Sequence, residues 1–172
     1  GVISAFMRGL SEAPGSRLRS TVLLGQRGSG KTVLLWELAD RARDAGYVVA
    51  TPTIAAEGML ERIVEKIQDD GSRYVGRSPV PRVANVAASV MGFSVGLEFD
   101  RETQQGKSHA YKLTQLVRRL TAEGHGVLIL VDELQANSAE VRQLVTVYQE
   151  LVGEGLDVAI VMAGLPGAVS AT

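Results

Sequence analysis

Two groups of residues in this chain have the types and spacing needed to handle a phosphoanhydride. The first is Gly25-Gln26-Arg27-Gly28-Ser29-Gly30-Lys31-Thr32, followed by Val33, which fits the phosphate-binding loop pattern G-x-x-x-x-G-K-[ST]. An anionic triphosphate must be held by donors that approach closely and point inward. Gly25, Gly28 and Gly30 can take backbone angles closed to other residues, so the amides of the loop, those of Gln26, Arg27 and Ser29 included, can curl into a nest around a β-phosphate. A helix opening at Gly30 adds unpaired N–H groups and its positive end over the turn that contains Val33. Lys31 supplies a mobile ammonium for the β- and γ-phosphates, and the Thr32 hydroxyl suits a Mg2+ ion that bridges them. The competing reading is an ordinary Gly-rich turn ahead of a helix.

The second group is Val127-Leu128-Ile129-Leu130-Val131-Asp132-Glu133, five apolar residues that deliver two carboxylates. Ligands of open α/β sheets bind at the C-terminal ends of strands, which is where these acids fall. Asp132 is placed to complete the magnesium shell opposite Thr32, and Glu133 to take a proton from, or orient, the water that attacks a γ-phosphate. Alone, such a run is weak, because buried strands commonly end in acidic turn residues. Paired with the loop at Gly25 to Thr32 it becomes strong.

The elements that must position these groups are legible around them. Thr21-Val22-Leu23-Leu24 reads as a strand before the loop, and Leu34, Leu35, Leu38 and Ala42 as the apolar face of a helix after it. Ala45-Gly46 stops that helix, and Tyr47-Val48-Val49-Ala50-Thr51 is a second strand, apolar without alternation as a sheet covered on both faces requires. A helix from about Glu57 to Asp69 carries Leu60, Ile63, Val64 and Ile67 on one side. Ser108 is expected to cap a helix bearing Leu113, Leu116, Val117 and Leu120. Asn137 or Ser138 opens another, with Val141, Leu144, Val145, Tyr148 and Leu151 inward, and Val158 to Ala163 forms the fourth core strand. Strands alternating with helices predict an α/β domain with a mostly parallel central sheet.

Two segments depart from this rhythm. Ile3, Phe6, Met7 and Leu10 lie at helical spacing ahead of the first strand, either as a packing helix or as a cover for a base, and Ala13-Pro14-Gly15-Ser16 ends them. Residues 70–106 read as an irregular insertion within a single domain, 1–172. In it Pro81 starts a short helix, Met91, Phe93, Val95, Leu97 and Phe99 alternate with polar or small residues as in an edge strand, and Asp100 to Lys107 is a loop.

Composition narrows the classes. A chain of 172 residues that is 45% hydrophobic suits one domain with a real core, and a net charge of −1 gives no field toward nucleic acid or an anionic membrane. Cysteine is absent, which excludes disulfides and thiolate metal sites. No apolar run approaches a membrane span, nor does the N-terminus have the layout of a signal peptide, so a cytoplasmic protein is expected. His109 and His125 stand near predicted helix ends, with no third ligand in view, and read as exposed or capping residues.

Together GQRGSGKT, the VLILVDE strand and the AGLP strand end at Ala163 to Pro166 resemble the Walker A and Walker B P-loop ATPases of the AAA+ and STAND assemblage, most of all bacterial ATP-binding proteins of the orphan ATPase type. The resemblance covers roughly residues 19–166. It implies a P-loop NTPase fold of the ASCE type, a three-layer α/β/α sandwich in which the loop strand lies beside the fourth strand. It also implies ATP and Mg2+ as ligands and nucleotide-driven switching, often in oligomers. Members usually place Asn, Ser or Thr near the end of the fourth strand, where this chain reads Val161-Met162-Ala163-Gly164. A fifth strand and a helical lid with its sensor arginine would lie beyond Thr172, and no arginine finger is assignable. Such an arginine is worth roughly 10³ to 10⁵ in rate, so slow turnover is expected.

Three functions follow: a Mg-ATP-binding domain that hydrolyses ATP slowly and drives a conformational change, a nucleotide-sensing module with little turnover, and a small-molecule or nucleotide kinase. The Asp132-Glu133 pair argues against the kinase, which has no need of a glutamate preparing water. If the chain ends at Thr172, no fifth strand pairs with the edge of Thr21 to Leu24, and that edge is expected to self-associate, to meet a partner domain, or to be covered by the N-terminal helix or by Met91 to Phe99.

Overall fold

The apolar runs form four parallel strands in the order β1-β4-β3-β2, where β1 is Ser20–Leu24, β2 Val48–Ile54, β3 Val127–Leu134 and β4 Val158–Gly164. The structure is a computed structural model, and it describes residues 2–10, 20–24, 30–75, 105–134 and 138–164. As the resemblance implies, the loop strand β1 lies beside β4. Ser20 to Leu24 stand opposite Ile160 to Gly164, and Val127 to Val131 opposite Val158 to Met162. This order leaves one strand between the end of β1 and the end of β3. The expected strand at Met91 to Phe99, the helix at Pro81, the loop residues Gly25 to Ser29, Asn137 and the Leu165-Pro166 pair lie outside the described residues.

Side chains alternate across β2, β3 and β4, so each strand feeds two cores. Val48, Ala50, Val127, Ile129, Val131, Val158 and Ile160 face α3 (Met59–Val75), α4 (Gln105–Ala122) and α5 (Ala139–Gly153), meeting Ile63, Ile67, Leu113, Leu120, Leu144 and Leu151. Val49, Leu128, Leu130, Ala159, Val161 and Ala163 face α1 (Val2–Leu10) and α2 (Lys31–Asp44), meeting Phe6, Leu10, Leu35, Leu38 and Ala42. Burial on both faces is why these strands read as continuous apolar runs. The result is the expected α/β/α sandwich. Phe6 and Leu10 are buried, so α1 packs as part of the second core. Among the described residues, no helix is long and apolar enough to cross a membrane.

The helices differ from expectation in two places. α3 does not stop at Asp69 but runs through Asp70-Gly71-Ser72 to Val75. The reason is tertiary: Asp70 is buried, and its Oδ2 accepts the Val49 N–H at 2.8 Å, while Oδ1 accepts from Arg43 Nη2 at 2.8 Å and Nε at 3.1 Å. Extending the helix delivers this acceptor to β2, which offsets the cost of about 1 kcal/mol for glycine in a helix. α4 begins at Gln105, so Ser108 lies inside its first turn rather than capping it, and residues 105–107 belong to the helix rather than to a loop. Gln105 and Lys107 are good helix formers, and their polarity carries no signal against a helix.

Candidate functional site

The site is built at the C-terminal ends of the strands, where α2 and β3 meet. Gly30 sits at the N-cap of α2 in the left-handed region, with φ 86° and ψ 10°. Nothing lies within 4 Å of a Cβ placed there, so the backbone angle alone demands glycine. Its carbonyl accepts the Leu34 N–H at 3.0 Å, closing the first turn of a helix whose leading amides have no partner within the helix. Lys31, Thr32 and Val33 stand in that turn. Val33 is 72% exposed.

Across the sheet, Thr32 Oγ1 donates to Asp132 Oδ2 at 2.8 Å, a bond between residues 100 positions apart. Asp132 is buried, and its Oδ1 accepts the Glu133 N–H at 2.8 Å. Among the described residues no cation pairs with it. Thr32 and Asp132 thus present a hydroxyl and a carboxylate side by side, the hard oxygen donors that Mg2+ prefers, and the pair fits that ion.

The acids stand on a distortion that the sequence did not announce. Val131 lies opposite Met162 but Leu134 opposite Gly164, so Asp132 and Glu133 together face the single residue Ala163. This is a β-bulge, which inserts one residue and re-aims the chain. Its effect is visible in the packing: Val131 and Leu134 both enter the first core although an odd number of positions separates them. Glu133 takes a φ of 53°, and it is the one non-glycine residue with positive φ among those described. Its side chain is exposed. A non-glycine residue in this region costs on the order of 1–2 kcal/mol, strain of the kind found where a side chain must be aimed.

The bulge also explains the departure at the end of β4. A Cβ on Gly164 would come within 2.8 Å of Leu134 Cβ and 3.1 Å of Leu134 O. That close approach excludes any side chain, polar or not. Upstream, Val161 and Ala163 point into the second core and Met162 into the first.

Sequence reasoning missed the residues that brace the acidic end from the β2 side. The Ala55 N–H donates to the Asp132 carbonyl at 2.9 Å. Glu140, in the first turn of α5, accepts the Gly58 N–H at 2.6 Å through Oε2 and the Leu60 N–H at 2.9 Å through Oε1. β2 has its own irregularity between Ala50 and Thr53, where Lys66 Nζ donates to the carbonyls of Thr51 and Pro52 and to Thr53 Oγ1. Burial, then the nearby Arg62, lowers the Lys66 pKa from its ordinary value. The one available signal was Gly58, whose positive φ of 85° marks the turn. Ser138 caps α5 as expected, accepting the Val141 N–H at 3.2 Å. His125 is half-buried between distant partners: Nδ1 lies 3.1 Å from the Gly46 carbonyl and its ring stacks on Tyr74 at 3.6 Å.

The model of the AAA ATPase domain matches residues 2–161. No curated protein matches the chain. Among solved structures, a chain from an Escherichia coli MS115-1 HORMA:CdnC:Trip13 complex is similar at 15% identity with a TM-score of 0.42; the match covers 98% of this chain and 56% of that one.

Proposed function

This chain belongs to the AAA ATPase domain family, and we propose on that premise that it binds Mg-ATP between the loop of residues 25–32 and the end of β3, hydrolysing it slowly. The observation that carries the reading is the Thr32–Asp132 hydrogen bond, which joins two motifs 100 residues apart. In this reading the amides of Gly25 to Thr32 and the first turn of α2, including Val33, cradle the phosphates, with the Lys31 ammonium on the β- and γ-phosphates. Thr32 and Asp132 hold Mg2+, which when bound neutralises phosphate charge. Glu133 accepts a proton from the attacking water, its carboxylate exposed at the bulge while the neighbouring Asp132 stays buried. The change from triphosphate to diphosphate then alters what α2 and the β3 end hold, and a partner or further domain reads that difference.

A second reading, a nucleotide sensor with little turnover, is favoured by the end of β4. Met162, Ala163 and Gly164 offer no polar side chain to a γ-phosphate, and the space at Gly164 admits none. Titration with labelled ATP and magnesium tests the shared premise. Lys31→Ala is expected to abolish binding and Glu133→Gln to preserve or tighten it; equal loss in both would overturn the division of roles. Single-turnover hydrolysis, with Glu133→Gln as control, separates the two readings.

A further inference from the structure

We propose that Glu140 is a positioning residue for Glu133, acting through the turn between β2 and α3; the inference rests on the hydrolytic reading above. The stretch from Asp132 to Glu140 is tied at both ends to one short turn. At its start the Asp132 carbonyl accepts from Ala55, and at its end the Glu140 carboxylate accepts from Gly58 and Leu60. Glu133 follows directly on the first tie, in a left-handed conformation that it holds only while its surroundings enforce it.

Glu140 is more than a cap on its own helix. Its carboxylate sits in the first turn of α5 and at the N-terminus of α3, so the positive ends of two helices converge on one anion. One oxygen serves each amide, a bidentate arrangement that fixes orientation as well as distance. Gly58 itself has a φ of 85°, a backbone angle that favours glycine and sets the turn. A turn gripped in this way cannot shift relative to β3 without breaking the Ala55 bond. Removing the carboxylate frees the turn, and with it the support under Asp132 and Glu133.

The test uses this chain with Glu140→Ala, Glu140→Gln and, as a control of similar thermal stability, Val147→Ala, which trims the same helix in the core and touches neither motif. Glu140→Ala is expected to lower kcat by roughly tenfold to a hundredfold while the Kd for Mg-ATP moves less than about twofold, because sub-ångström misplacement of a catalytic group acts on the chemical step. Glutamine, which keeps one acceptor, should recover part of that loss. Val147→Ala should leave kcat unchanged well below its Tm. A Glu140→Ala protein that turns over as the Val147→Ala protein does would overturn the proposal.

Amide exchange by NMR provides a readout free of turnover. The amides of Ala55 and Glu133, neither of them bonded to Glu140, should exchange faster in Glu140→Ala than in Val147→Ala. Unchanged exchange at both sites would also overturn it. If Glu133→Gln hydrolyses ATP as fast as the unmodified chain, the hydrolytic reading has failed, and the exchange data alone then decide for or against Glu140.

Discussion

Two aspartates in this molecule are equally buried, each 8% exposed, and they are partnered in opposite ways. Asp70 is saturated with donors, two of them cationic: Arg43 at 2.8 Å, Arg73 at 3.3 Å, and the Val49 amide of β2. Asp132 receives a hydroxyl and its neighbour's amide, with no cation among the described residues. A buried carboxylate matched by guanidinium groups is finished as structure. One left with neutral donors has room for a further partner, and in the function proposed above its position at the C-terminal end of a strand beside the phosphate-loop helix makes that partner the magnesium ion.

The comparison breaks if the two acids respond alike to substitution. Asp70→Ala leaves the Val49 N–H buried without an acceptor, and the expected loss is about 3 kcal/mol, from that orphan donor and the charge-assisted bonds together. The guanidinium share must be discounted, because the Arg43 and Arg73 side chains are 44% and 37% exposed. Nucleotide affinity at a temperature well below Tm should not change. Asp132→Asn should cost less than about 1 kcal/mol, since asparagine can keep its oxygen on the Glu133 N–H while its amide nitrogen donates to the Thr32 hydroxyl oxygen. Its effect should appear instead as weakened magnesium dependence of ATP binding. Urea denaturation and a magnesium titration of both variants check this; unchanged metal dependence would remove Asp132 from the metal site.

The same contrast explains how far the sequence could be read. The alternation of strands and helices, the Gly30 turn, the apolar run that leads into Asp132 and the Ser138 cap are all local, written in periodicity or in adjacent residues. The role of Asp70 was not legible. In sequence it sits in Asp69-Asp70-Gly71-Ser72, which looks like a turn, and only the partners 21 and 27 positions away show why the helix continues. Glu140 was hidden for the same reason: an acid in the first turn of a helix has a sufficient local explanation, while its contacts lie 80 and 82 positions back. The bulge at Asp132 and Glu133 was also hidden, because it is a property of the register between β3 and β4 rather than of either strand.

That bulge supplies the smallest and sharpest test. At most strand positions glycine is less stable than alanine by roughly 0.5–1 kcal/mol, because the unfolded chain gains freedom and no side chain packs. Position 133 should reverse the order. Its φ of 53° lies where a Cβ is penalised, and its side chain is exposed, so it loses no packing when removed. Alanine retains the penalty of about 1–2 kcal/mol, whereas glycine sheds it. The Glu133→Gly protein should therefore be more stable than Glu133→Ala by about 1 kcal/mol in urea denaturation, although neither retains a carboxylate for the water. An alanine variant as stable as the glycine one would mean that Glu133 relaxes to ordinary strand angles once its carboxylate is gone, and that the side chain rather than the bulge enforces the left-handed backbone.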